Sequence, residues 1–153
     1  MNKINYKLLI INILIPLAIG LIGNFLGNPN TYSIINKPAF SPPAIIFPIV
    51  WTILYILMGI SSYIIMISND NNKNKAYLIY IIQLIVNGLW SLFFFRFKLY
   101  LFSFFWIILL ISLVVIMIYK FYKINKLSAY LQIPYLIWLI FASILNLSIY
   151  ILN

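Results

Sequence analysis

The chain contains no cysteine and no histidine, and its only acidic residue is Asp70. These absences exclude a good deal of chemistry. Without thiols or imidazoles there is no structural zinc set, no thiol redox couple and no histidine-based acid–base catalysis. A proton relay of intramembrane carboxylates or histidines is excluded as well. A bound haem would find no histidine or cysteine axial ligand. No residue set marks a conventional enzyme. Charge is scarce overall: 7% of 153 residues are charged, against 65% hydrophobic. A soluble domain cannot hide that much apolar surface, so the chain is expected in a membrane.

The few charges punctuate the chain. They fall at Lys3, Lys7, Lys37, Asp70, Lys73, Lys75, Arg96, Lys98, Lys120, Lys123 and Lys126. Uncharged stretches remain at 8–36, 38–69, 76–95, 99–119 and 127–153. A helix needs about 20 residues to cross the hydrocarbon core. We therefore expect an all-α membrane protein, a single domain that is a bundle of five transmembrane helices. The spans are expected at about 8–27, 44–67, 77–95, 100–119 and 130–151. The first apolar run, ending near Gly27, is longer than the core of a secretory leader, so it is read as a span.

An odd number of spans puts the two termini on opposite sides. Lys3, Lys7, Lys73, Lys75, Lys120, Lys123 and Lys126 then share the N-terminal side, against Lys37, Arg96 and Lys98 on the other. The positive-inside rule makes the N-terminus cytoplasmic and turns the C-terminus and the proline-rich loop outward. The net charge of +9 suits contact with anionic membrane lipids. Basic residues scattered between spans do not form the stripe that nucleic acid requires, so no nucleic-acid partner is expected.

The connection 28–43 is the longest between spans and holds Pro29, Pro38, Pro42 and Pro43. Proline fixes its own φ and donates no backbone hydrogen bond. An ordered, rigid lid is expected there. Below it, Trp51, Tyr55 and Ser62 share one helical face, read as one wall of a pocket. In the third span Gln83, Asn87, Trp90 and Ser91 share a face. Carboxamides in hydrocarbon must meet protein, water or ligand. They are either glue between helices or a polar edge of the pocket. In the last span Trp138, Ala142, Leu145 and Asn146 share a face, with Pro134 near the helix start, where proline is tolerated. In the first span Gly23 and Gly27 form a small-xxx-small pair, suited to packing in the bundle or to a homodimer seam. No internal repeat is visible, which argues against an inverted-repeat transporter.

Three motifs in series carry a family resemblance. The first runs Tyr32, Lys37-Pro38, Phe40, Pro42-Pro43, Phe47, Trp51, Leu54-Tyr55 and Met58-Gly59. The second is Gln83-Leu-x-x-Asn87-x-x-Trp90-Ser91, followed by Phe93-Phe94. The third is Pro134-Tyr135-Leu-x-Trp138-x-x-Phe141-Ala142-x-x-Leu145-Asn146. Together they resemble the TspO/MBR family of tryptophan-rich sensory and translocator proteins, bacterial type, over essentially the whole chain. The resemblance implies a five-helix membrane protein, usually a homodimer, with a pocket beneath the first loop. It implies binding of porphyrins such as protoporphyrin IX and of haem-like tetrapyrroles, with no obligatory cofactor and no metal site.

Carried over by motif, the ligand-binding residues are Tyr32, Pro42, Phe47, Trp51, Tyr55, Gln83, Asn87, Trp90, Trp138, Phe141 and Ala142. Trp51 and Trp138 are the pair tied to any light-dependent porphyrin breakdown. Ligand carboxylates are expected to meet Lys37 or the amides. The chain departs from the family in tryptophan: it has four, and Thr31, Phe40 and Ile45 stand where members often carry Trp. The leading expectation is a porphyrin-binding membrane protein acting as a sensor or regulator of porphyrin metabolism. The alternatives are a light-dependent porphyrin-degrading activity and facilitated transport of lipophilic ligands.

Overall fold

A computed structural model describes residues 4–28 and 30–153. Lys3 and Pro29 lie outside the described residues. Helix α1 spans Tyr6–Gly27. The Asn5 side chain caps it by accepting from the Leu8 amide at 3.1 Å. It ends at Asn28 in the left-handed region, φ 56°, which asparagine tolerates. A short helix, α2, covers Thr31–Ile34 in the loop. Then follow α3 at Ile46–Met66, α4 at Lys73–Ser91 and α5 at Tyr100–Ile124. The last pair is α6 at Lys126–Tyr130 and α7 at Ile133–Leu152. A π-helical turn, Leu92–Arg96, extends α4. Among the described residues there is no strand. Five helical segments among the described residues are long and apolar enough to cross a membrane: Tyr6–Gly27, Ile46–Met66, Lys73–Arg96, Tyr100–Ile124 and Lys126–Leu152.

The burial pattern is inverted relative to a soluble bundle. Ile10, Leu21, Phe25, Phe105, Ile137 and Ile144 are exposed, while Asn12, Ser61, Ser62, Gln83, Asn87, Gln132 and Asn146 are buried. In hydrocarbon an outward apolar face costs nothing, and polar groups seek partners inside. Ser61 and Ser128 bond across α3 and α6 at 2.9 Å. The Ser62 hydroxyl lies 3.0 Å from Asn12 Oδ1, on α1. This corrects the sequence reading of Ser62. It shares a helical face with Trp51 but lies about three turns deeper, where it ties helices together and does not line the cavity.

Glycines set the closest approaches. A Cβ at Gly59 would stand 2.5 Å from Ile13 Cα, so only glycine lets α1 and α3 meet there. A Cβ at Gly27 would stand 2.9 Å from the Ser91 carbonyl oxygen, and one at Gly23 3.1 Å from that of Gly88. The Gly23/Gly27 pair thus packs α1 on α4 within the chain, which settles its role in favour of bundle packing. Lid and C-terminus share one end of the bundle: Asn36 N donates to Asn153 Oδ1 at 2.9 Å.

Candidate ligand-binding site

A cavity of about 440 Å³ lies under the lid, enclosed by α1, α3, α4, α5 and α7. That volume is within the range of small-molecule sites, roughly 300–1,000 Å³. Eight aromatic side chains line its wall. Trp51 stacks on Tyr55, ring centroids 5.4 Å apart, and meets Tyr135 edge-on at 6.1 Å. Phe47 bridges Tyr32 (5.0 Å) and Trp138 (5.9 Å). Trp90 stacks on Phe94 at 4.9 Å.

The floor is a directed hydrogen-bond chain. Tyr55 Oη donates to Asn87 Oδ1 at 2.8 Å. Asn87 Nδ2 donates to Tyr135 Oη at 2.8 Å, which donates to Gln83 Oε1 at 2.9 Å. To one side Trp90 Nε1 donates to Asn146 Oδ1 at 3.1 Å, and Asn146 Nδ2 to the Tyr100 carbonyl at 2.8 Å. Two polar atoms here are buried without a protein partner: the Trp138 indole N–H and Gln83 Nε2, at the far end of the chain. The lining holds no carboxylate, amine or guanidinium. The site is therefore neutral, apolar at its walls and amide-edged at its floor.

The lid closes the end of the cavity. Tyr32 Oη donates to the Pro42 carbonyl at 2.9 Å. Lys37 Nζ donates to the carbonyls of Tyr32 (2.8 Å) and Ile35 (3.2 Å) and sits 4.9 Å from the centre of the Tyr32 ring. Burial raises the Tyr32 phenol above its ordinary value of 10.0, partly offset by the Ser41 hydroxyl.

A model of the TspO/MBR family matches residues 12–152. The chain belongs to the TspO/MBR family. It is 38% identical over 152 residues to "Tryptophan-rich protein TspO" of Archaeoglobus fulgidus, covering 97% of this chain and 99% of that one. It is 30% identical over 122 residues to "Tryptophan-rich sensory protein" of Cereibacter sphaeroides, covering 80% and 76%. It is 31% identical over 147 residues to "Translocator protein homolog" of Schizosaccharomyces pombe, covering 92% and 88%.

Of the eleven positions carried over from the TspO/MBR motifs, the cavity wall contains Tyr32, Phe47, Trp51, Tyr55, Asn87, Trp90, Trp138 and Ala142. Three lie outside it. Pro42 serves through its carbonyl, as the anchor for Tyr32. Gln83 is fully buried behind Tyr135, as the far end of the floor chain. Phe141 backs Trp138 at 5.3 Å and lines a shallow groove with Val50, Ile53 and Pro134. Lys37 is also corrected. Its ammonium is committed to lid carbonyls and absent from the wall, so it does not await a ligand carboxylate inside.

Of the three positions where the resemblance implied tryptophan, one is buried and two are exposed. Thr31 is buried, and its hydroxyl holds the Phe95 carbonyl at 3.2 Å, beside the π turn. Phe40 and Ile45 are exposed. The sequence reading missed the α1 wall: Leu17, Gly20, Leu21 and Asn24. Their i, i+3, i+4, i+7 spacing was visible, but an apolar helix gives no face contrast to select it. Ile107 and Leu110 of α5 carry no signal in sequence at all.

Proposed function

We propose that this chain is a membrane-embedded binding protein for porphyrins and related flat tetrapyrroles. It acts as a sensor or regulator of porphyrin handling in the bacterial cell membrane, as a homodimer with its N-terminus inside. The observation that carries the reading is the neutral cavity ringed by Trp51, Trp90 and Trp138, with amides at its floor. Membership of a family with relatives named sensory and translocator proteins agrees with it. Stacking on the tryptophans contributes about 1 kcal/mol per ring beyond area burial. Micromolar affinity takes about 8 kcal/mol in all, within reach of a large flat ligand. Ligand carboxylates stay at the mouth, because no cation lines the interior.

The test is a titration with protoporphyrin IX in darkness, read by tryptophan quenching and the Soret band. Saturable binding that is lost in the Trp51→Ala, Trp138→Ala double variant supports the reading. Equal binding by that variant refutes the site.

The presence of both Trp51 and Trp138 in the wall favours a second reading, light-dependent porphyrin breakdown with dioxygen as oxidant. The excited ligand supplies the chemistry, and the tryptophans act as its electron or radical partners. Loss of absorbance in light only, slowed by Trp51→Phe and Trp138→Phe, supports it. Bleaching equal to that of free porphyrin in detergent refutes it.

A further inference from the structure

We infer that the cavity exchanges its ligand with the bilayer, through a lateral seam between α1 and α3, and not with water through the lid. The inference rests on the cavity being a ligand site and commits to the class of ligand: a lipid-dissolved, largely apolar molecule.

Exposure around the cavity is one-sided. Leu21 is 72% exposed although it lines the cavity. Asn24 beside it on α1 is exposed too, as are Ala44, Pro48 and Thr52 leading into and along α3. The opposite wall is shut: Ile107, Leu110, Leu139 and Leu145 are all buried. The gap therefore opens toward the hydrocarbon, at the first turns of α3.

The seam is built by the sequence. Deep in the bundle, Gly59 lets α1 close directly on α3 at Ile13. One to two turns nearer the lid, the Tyr55 ring fills the space against Gly20 and acts as a wedge between the helices. Beyond the wedge the two helices bound the cavity without sealing it. The rim suits hydrocarbon. The Thr52 hydroxyl is satisfied within its own helix, on the Pro48 carbonyl at 2.7 Å. Asn24 is then the polar side chain of the threshold.

The watery end, by contrast, is fastened at four places. Tyr32 bonds Pro42, and Lys37 bonds Tyr32 and Ile35. Thr31 bonds Phe95. Asn36 and Asn153 exchange bonds in both directions, each 2.9 Å. The first two stiffen the lid itself; lifting it would break the last two ties, to Phe95 and to Asn153, whereas entry through the seam breaks none.

The absence of cysteine makes the test clean. A single thiol is introduced at the seam at Phe25, which is 85% exposed one turn from Leu21 and does not line the cavity (Phe25→Cys), or on the lid (Asn36→Cys), and each is tagged with the same bulky maleimide. Protein in phosphatidylcholine vesicles is mixed with protoporphyrin IX, and tryptophan quenching is followed in time. The seam tag is expected to slow uptake by an order of magnitude with little loss of final amplitude, and the lid tag to leave the rate unchanged. Slowing by the lid tag alone, or by both equally, overturns the inference. If the untagged protein binds no porphyrin, the tetrapyrrole reading fails and a second arm decides the seam. In a Trp106→Phe background the remaining tryptophans all line the cavity. Brominated-chain phosphatidylcholine is expected to quench them, and the tag at position 25 to relieve that quenching severalfold. Quenching unchanged by the tag overturns the inference.

Discussion

Tyr55 and Asn87 meet across the bundle in a 2.8 Å hydrogen bond, and the cavity floor depends on that pair. Asn87 passes the chain on to Tyr135, so one carboxamide satisfies two buried phenols from two other helices. Asn87→Leu strands the Tyr55 hydroxyl and removes the donor to Tyr135, whose own proton still reaches Gln83. A stranded buried group costs about 1–3 kcal/mol. Thermal unfolding in detergent should fall accordingly, and Asn87→Leu combined with Tyr55→Phe should cost less than the two single losses added. Strict additivity would show that the chain is not one network.

Gly20→Val tests the wedge. A Cβ at Gly20 would collide with the Tyr55 ring. That ring cannot yield freely, because it stacks on Trp51 and its hydroxyl is held by Asn87. Overpacking of this kind costs about 1–3 kcal/mol. The expected outcome is a lower unfolding temperature together with weakened porphyrin quenching. A variant as stable as the parent, with unaltered quenching, would show that Tyr55 moves aside.

Lys37→Met releases two lid carbonyls and the cation over Tyr32. The lid should become cleavable by protease while the unfolding temperature of the bundle barely changes. A large drop in that temperature instead would mean that the lid supports the helices.

Two pH responses are expected, one absent and one present. The cavity wall holds no carboxylate or amine, so ligand affinity should be flat across the neutral range apart from titration of the ligand itself. Tyr32 is buried as a neutral phenol, with its pKa raised above 10.0. Its contribution to lid order is complete below 10.0 and is lost as pH rises through the folded-state value. Protease sensitivity of the lid should therefore rise in strong alkali, and Tyr32→Phe should abolish that particular step.

The bundle was readable because charge is rare. Eleven charged residues mark the ends of five apolar runs, and hydrocarbon thickness sets their length. The aromatic and amide side of the site was readable from the faces of α3, α4 and α7. Trp138, Ala142, Leu145 and Asn146 all reach the cavity, as their spacing implied. What could not be read was depth. Ser62 and Gln83 share faces with wall residues yet end behind the cavity, because face periodicity fixes direction around a helix and not position across a bundle. Lys37 misled for a different reason. A lone cation near a pocket looks free in sequence, and only the folded loop shows the carbonyls that claim it.

The π turn at Leu92–Arg96 has a consequence for descent. Its wide turn, closed by Phe97 N on the Leu92 carbonyl at 3.1 Å, carries one residue more than an α-helix would use. Phe94 and Phe95 reach the cavity from that turn. Losing one residue there would restore an ordinary helix and leave one phenylalanine where two now reach the cavity, because the wide turn absorbs the extra residue. Relatives that differ by a single residue in length near this point should therefore differ in which aromatic they offer the ligand. The turn is a place where the lineage can exchange specificity without rebuilding a helix.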